Sequence, residues 1–312
     1  MNSTLSTALL AALRLLTALT LLGSAALAQA EVRLLTSIKP LQLIAAAVED
    51  GVSQPDVLLP AGASPHEFTL RPSDMRRLGQ ADLFYWIGPN MEGFLSKPLA
   101  SRQGITVTVQ QLPGLHLRYF AKAQPGDDDD NDHDPDHQPD GLDGHLWLDT
   151  YNAGVIAEHI ASDLGRLDPQ HQQRYQANVQ AFKQRLSQLD QQLDQRLTKV
   201  ADKPYFVFHD SYGYFEQTHH LHPAGVLAIE HGAQPGARHL ARMCERLKQA
   251  GRVCLFNEPP ARPALATTIS EGLPVTLAEL DGQGLQAPVN ANGYETMLSH
   301  LTDQLVGCLA KY

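Results

Sequence analysis

Three of the fourteen histidines in this sequence fall where strand-like runs give way to loops, which is where a protein can present imidazole to a metal ion. His66 lies in "VLLPAGASPHEFTLRPSDM", a Gly- and Pro-marked loop beyond the run "DVLLP". His145 stands in "GHLWLDT", directly after an acidic run, and His209 ends the apolar run of "YFVFHDSYGYF". A lone histidine more often makes structural hydrogen bonds than it holds a ligand, so only the set carries weight. Three neutral imidazoles suit Zn2+, which takes nitrogen ligands at about 2.0 to 2.1 Å, usually in a tetrahedron. Manganese or magnesium calls for more carboxylate or carbonyl oxygen. Asp281 in "TLAELDGQG" is the best placed fourth ligand, water being the alternative, and an Asp-Gly turn explains it equally well. Because the imidazoles must be neutral to bind, affinity should fall as pH drops through their titration range.

Other polar residues carry less. Glu67 is an outer partner of His66 or a solvated acid, and Glu230, His231 and Glu258 end strand-like runs near the same region, where ordinary hydrogen bonds explain them as well. His219, His220 and His222 in "THHLHPAG" read as a surface cluster, with a secondary metal site as the alternative. The stretch "GDDDDNDHDPDHQPD" adds His133 and His137, weak accessory zinc ligands at most. Residues 121 to 143 are nearly devoid of apolar side chains and dense in like charge, so a mobile loop is expected there.

The elements that must position these groups alternate. Runs rich in β-branched and aromatic residues, "VRLLTSI", "DVLLP", "DLFYWIG" and "ITVTVQQL", precede residue 115, and "YFVFHD", "GVLAIE", "RVCLFNE" and "PVTLAEL" follow residue 204. Strands separated by helix-length segments indicate an α/β fold with mainly parallel sheets. Between the sets, Tyr175, Val179, Phe182, Leu186, Leu189, Leu193 and Leu197 recur at steps of three and four, the pattern of one long amphipathic helix. A shorter helix is expected from about 152 to 164, capped by Asp149 or Thr150. "RRLGQADLFYWIGP" and "ERLKQAGRVCLFNEP" resemble each other, which suggests two similar lobes joined by the long helix. Open α/β sheets bind ligands in the crevice beyond the carboxyl ends of their strands, so the metal site is expected between the lobes. The expected division is a signal segment over 1–30, a first lobe over 31–168 with the acidic loop inside it, a linking helix over 169–200 and a second lobe over 201–312.

With 312 residues, 43% of them hydrophobic, the chain can bury the cores of two such lobes. Residues 1–30 hold a single charged side chain, Arg14, then an apolar run and the A-x-A pattern Ala28-Gln29-Ala30, the marks of an export signal. The run from Leu15 to Leu22 is short of the roughly 20 residues a membrane span needs. No cysteine follows it, so a soluble, unlipidated protein starting near Glu31 is expected. Removing Arg14 with the signal moves the net charge from −10 to −11, which argues against nucleic acid as a partner. Of the three cysteines, Cys244 shares a helical face with Leu240, Met243 and Leu247 and reads as a small apolar residue. Cys254 and Cys308 are then the favoured disulfide, although spacing alone leaves the connectivity open.

"GASPHEFTLRPSD", "ADLFYWIGPNME", "GHLWLDT", "YFVFHDSYGYFE", "QPGARHL", "FNEPPARP" and "ELDGQG" together resemble the periplasmic solute-binding proteins of high-affinity zinc ABC uptake systems, the ZnuA-like branch of a cluster that also holds manganese binders. The resemblance runs from about Lys39 to the C-terminus. It implies two (β/α)4 lobes joined by a long backbone helix, zinc ligands at His66, His145 and His209, an aspartate at Asp281 and a disulfide between Cys254 and Cys308. It also implies Zn2+ as transported ligand, a membrane permease of an ABC importer as partner, the periplasm of a Gram-negative cell, a monomer and no covalent chemistry. His209 discriminates, since manganese-binding relatives carry a carboxylate there. Two departures stand out: Pro65 replaces an acidic residue found before the first histidine in some zinc members, and the loop holds more aspartate than histidine. The competing readings are a manganese or iron carrier or metal-dependent adhesin on the same scaffold, and a zinc hydrolase. Against the hydrolase, the sequence has no H-E-x-x-H motif and no base for a bound water beyond Glu67 or Asp281.

Overall fold

Every strand-like run of the sequence becomes a parallel strand. The computed structural model describes residues 31–120, 141–228, 237–259 and 264–312. The expected signal segment, His133, His137, Glu230 and His231 lie outside the described residues. In the first sheet β1 (Leu34–Thr36), β2 (Asp56–Val57), β3 (Leu83–Trp86) and β4 (Ile105–Thr108) lie in the order β2-β1-β3-β4. In the second, β5 (Tyr205–His209), β6 (Gly225–Ala228), β7 (Val253–Asn257) and β8 (Val275–Glu279) repeat it as β6-β5-β7-β8. All pairings are parallel, with Leu34 opposite Leu83 and Tyr205 opposite Cys254. Burial on both faces explains the continuous apolar runs of the central strands, such as the buried "LFYW" of β3 and "VCLFN" of β7.

Helices connect the strands: α1 (Lys39–Val48), α2 (Pro72–Gln80), α3 (Ser96–Ala100), α4 (Thr150–Leu167), α5 (Gln172–Leu197), α6 (Gly213–Thr218), α7 (Ala237–Ala250), α8 (Ala264–Ser270) and α9 (Gly293–Leu309). The repeated stretch is a structural equivalence: α2 leads into β3 and α7 into β7, and each strand holds the third place in its sheet. Helix α4 begins at Asp149, whose carboxylate accepts the Tyr151 N–H at 2.8 Å. It runs a turn longer than the 152–164 expected from sequence because its buried face extends to Thr150 at one end and Gly165 at the other.

Helix α5 is the connector. Its 26 residues extend about 39 Å at 1.5 Å per residue, and its buried positions are the seven that the periodicity picks out, Tyr175 to Leu197. Two ion-pair anchors tie it to α9, Arg185 to Glu295 and Arg196 to Asp303. One apolar core passes from β1, β3 and α1 through α4 and α5 to Tyr205, Val207, Phe256 and α9. A smaller second core lies on the other face of the second sheet, where Phe206, Leu227 and Leu255 pack under α7 and α8. The disulfide joins Cys254 of β7 to Cys308 of α9, with Cα atoms 6.2 Å apart, and Cys244 is a partly buried free thiol beside the second core.

Residues 141–143 depart from the expected mobile loop. Leu142 bridges Tyr119, Phe120 N–H donates to Gly141 O at 3.1 Å, and Asp143 is fully buried. Composition groups Asp143 with the aspartates before it, whereas the fold supplies it with two partners of its own.

Candidate metal centre

The strand order places a topological switch point between β5 and β7, where connections leave in opposite directions and a crevice opens at the carboxyl ends. His209 is the last residue of β5, and Glu258 directly follows β7. His145 opens a tight turn, Leu146–Leu148, leading into α4. His66 sits in the loop after β2, where Ser64 Oγ accepts the backbone N–H of His66 at 3.3 Å and of Glu67 at 3.4 Å.

These three imidazoles meet. Ring centroids are 5.5 Å apart for His66 and His145, 5.4 Å for His66 and His209, and 5.1 Å for His145 and His209. One nitrogen from each lies within 4.8 Å of the others, and among the described residues this is the one group of three or more His, Cys, Asp or Glu so arranged. A tetrahedral ion with nitrogens at 2.0 to 2.1 Å separates them by about 3.3 Å, so small ring movements suffice to close the set on one ion. His145 and His209 are buried, and His66 is half-buried.

Two carboxylates, one buried and one half-buried, stand behind two of the rings. Asp143 Oδ1 lies 2.8 Å from His145 Nδ1, and Glu258 Oε1 lies 3.0 Å from His209 Nδ1. Burial opposes the charge on Asp143, but the hydrogen bonds from His145 and the Arg118 guanidinium at 2.6 Å hold its carboxyl below the usual carboxylate range. Glu258 is likewise held well below that range, His209 and Ser211 outweighing burial. The same pairing raises His209 above an ordinary imidazole, although burial alone lowers it. His145 and His209 each therefore turn Nδ1 toward a carboxylate and Nε2 toward the other rings, the outer-shell arrangement usual for metal-ligating histidine.

Asp281 lines the same pocket as His66, His145, Trp147, Ser211 and Glu258, but its carboxylate turns into its own loop. Oδ1 accepts the N–H groups of Gln283 (3.0 Å) and Gly284 (2.8 Å), and Oδ2 accepts that of Leu285 (2.7 Å). It lies outside the three-imidazole group. The pocket offers about 10 Å³ to the centre of a water-sized sphere, which is about one water's worth of room.

The remaining sequence candidates separate. Glu67 is exposed. His219, expected at the surface, is buried with Nδ1 2.7 Å from Asp194 Oδ1, fastening the end of α6 to α5, while His220 and His222 are exposed. Asp143 was not among the sequence candidates. Its signal is its place two residues before His145, where an aspartate side chain accepts the i+2 backbone N–H, here at 3.0 Å.

Two parallel-sheet lobes bridged by one long helix, with imidazoles from both converging at the seam, define a helix-bridged solute-binding protein. The comparisons are more specific: residues 34–308 match the ZnuA family, described as zinc-uptake complex component A, periplasmic, and the chain belongs to that family. The high-affinity zinc uptake system protein ZnuA of Yersinia pestis is 37% identical over 300 residues, spanning 90% of this chain and 92% of that protein. A crystal structure of ZnuA superposes with a TM-score of 0.73 at 22% identity, covering 89% of this chain and 98% of that one. The solute-binding protein FpvC of Pseudomonas aeruginosa with Mn2+ superposes with a TM-score of 0.74 at 22% identity, covering 90% and 99%. The fold is thus shared with a chain solved with Mn2+, so the fold by itself does not name the metal.

Proposed function

We propose that this protein captures Zn2+ in the periplasm and delivers it to the membrane permease of an ABC importer. The observation that carries the reading is the convergence of His66, His145 and His209, three nitrogen donors, two of them backed by the carboxylates of Asp143 and Glu258. Neutral imidazoles with a tetrahedral preference favour zinc over manganese, whose sites draw on carboxylate oxygen. Two carboxylates behind the rings offset the charge of one dication. Asp281 stands on the pocket wall beside the fourth position, which it or a water fills. His133 and His137 are accessory at most. Residues 1–30 act as the export signal, 31–168 and 201–312 as the lobes, and 169–200 as the connector. The protein works as a soluble monomer that meets its permease by diffusion; among the described residues no helix is long and apolar enough to cross a membrane.

The narrow pocket, with room for about one water beside the rings, also favours a carrier over a zinc hydrolase. The decisive experiment is competitive titration of metal-stripped protein with zinc and manganese, beside the His209→Ala variant. Zinc preference and a loss of at least about 100-fold in the variant are expected, since removing one of three ligands exceeds the 10- to 100-fold typical of an outer-shell loss. Preference for manganese, or undiminished zinc affinity in the variant, would overturn the assignment. Zinc-dependent hydrolysis of a chromogenic ester would overturn the carrier reading.

A further inference from the structure

Asp143 sits between donors on opposite sides. Its Oδ1 accepts both the backbone N–H of His145 at 3.0 Å and Nδ1 of the same ring at 2.8 Å. Its Oδ2 accepts Arg118 Nη1–H at 2.6 Å. Arg118 is fixed in turn: its backbone N–H donates to Tyr214 Oη at 2.8 Å, and Tyr214 Oη–H donates back to the Asp143 carbonyl at 3.1 Å. Gly213 leaves room for the guanidinium, since a Cβ there would come within 2.1 Å of Arg118 Cζ. Gly144 has a similar role on the other side, where a Cβ would meet Met91 Cε at 2.9 Å. The carboxylate therefore has little freedom to turn.

An ionised carboxylate only accepts hydrogen bonds and guanidinium only donates them, so the Nδ1 facing Asp143 must carry the ring proton. We propose that Asp143 is a positioning residue that dictates the tautomer of His145, keeping its Nε2 unprotonated for the ion, with Arg118 fixing which carboxylate oxygen faces the ring. The proposal rests on His145 being a zinc ligand, the reading given above.

The arrangement yields an asymmetric expectation. An asparagine at 143 has one acceptor oxygen for donors on two sides. The charge-assisted bond to Arg118 is the stronger claim on it, so the amide nitrogen turns toward His145, and the His145 backbone N–H loses its acceptor as well. Nδ1 then becomes an acceptor and the proton moves to Nε2, the nitrogen an ion needs. Glu258 differs, because His209 Nδ1 and Ser211 Oγ both reach the same oxygen, Oε1. A glutamine there keeps both bonds through its single carbonyl oxygen.

The test is the tautomer of His145 in metal-free protein, read from long-range proton–nitrogen correlation spectra of histidine-labelled protein, together with zinc affinity by competition. Asp143→Asn should convert His145 to the Nε2–H form and lower zinc affinity about 10- to 100-fold, while Glu258→Gln leaves the His209 tautomer as it is. Adding Arg118→Met to Asp143→Asn frees the asparagine oxygen to face the ring, and should restore the Nδ1–H form and part of the affinity. A merely structural role makes the double variant worse than the single one, and that result overturns the proposal. So does an unchanged His145 tautomer in Asp143→Asn, a measurement that stands even if the double variant does not fold. Parent protein that binds no zinc overturns the functional reading instead and leaves the tautomer result interpretable.

Discussion

The Asp281 carboxylate accepts three backbone N–H groups of the loop it begins, and that loop is fastened at Gly282, whose carbonyl accepts Trp147 Nε1–H at 2.9 Å. Removing an acceptor from buried donors costs about 1 to 3 kcal/mol, so Asp281→Ala should lower the stability of metal-free protein by about that amount in urea melts. Zinc affinity should fall less than in His209→Ala; an equal fall with unchanged stability would make Asp281 a direct ligand instead. Glu92 offers a second test. Burial pushes it up to about 7 from an ordinary value of 4.5, against the hydrogen bond it accepts from Gly88 N–H at 3.1 Å. The folded state then holds a proton between pH 4.5 and 7 that the unfolded state has released. Its contribution is fully present below the lower value and lost as pH rises through the upper one, about 3 kcal/mol at most at 1.36 kcal/mol per unit. Metal-free Glu92→Gln should accordingly lose less stability than the parent between pH 5 and 8, and equal slopes would contradict a raised Glu92. Residue type and strand-end position made the three histidines and Asp281 legible in the sequence. Asp143 was not, because a composition window cannot tell a paired, buried aspartate from the solvated ones that precede it.

At the scale of elements, hydrophobic period carried most of the information. The seven apolar positions of α5 could be read from their spacing because one helix face alone meets the core. Ends and contacts were less legible: the run "DVLLP" yields only the two-residue strand β2, since Leu58 and Leu59 follow it into the crevice loop, still bonded by their N–H groups to Thr36 O and Ser37 O. Paired residues flank the acidic insertion. Phe120 and Gly141 are hydrogen-bonded at 3.1 Å and Asp143 N–H donates to Arg118 O at 2.9 Å, so the chain leaves and returns through one closed stem. Loop-closure cost varies only as the logarithm of length, about 0.6 kcal/mol per doubling. Deleting residues 126–140 should therefore leave stability and the main zinc affinity close to the parent's in titration and melting experiments. A large loss of affinity would show that the insertion contributes ligands to the centre.

On the scale of the whole molecule, the question is whether zinc draws two lobes together or enters a site already built. A wide hinge needs a seam with few buried contacts, and this seam has many. Val32–Tyr312 forms one compact unit in which α1, α4, α5 and α9 share a core with residues of both sheets. Across the seam, Trp147 Nε1–H reaches Gly282 O, Lys39 Nζ donates to Leu285 O at 2.9 Å, and Tyr294 Oη–H donates to Trp147 O at 2.7 Å. Opening the lobes exposes these groups together, whereas a ligand shifts an equilibrium only by its differential affinity for the two states. Entry past the half-buried His66 needs far less, because its loop lies at the mouth while His145 and His209 are held by Asp143 and Glu258 from behind. Small-angle scattering of metal-free and zinc-loaded protein should thus give the same radius of gyration, near the roughly 19 Å of a compact chain of this size. Hydrogen exchange should slow on zinc addition in residues 60–70 and stay unchanged in α5 and α9. A contraction on zinc binding, or new protection along α5, would show instead that the seam opens and that the shared core yields to the ion.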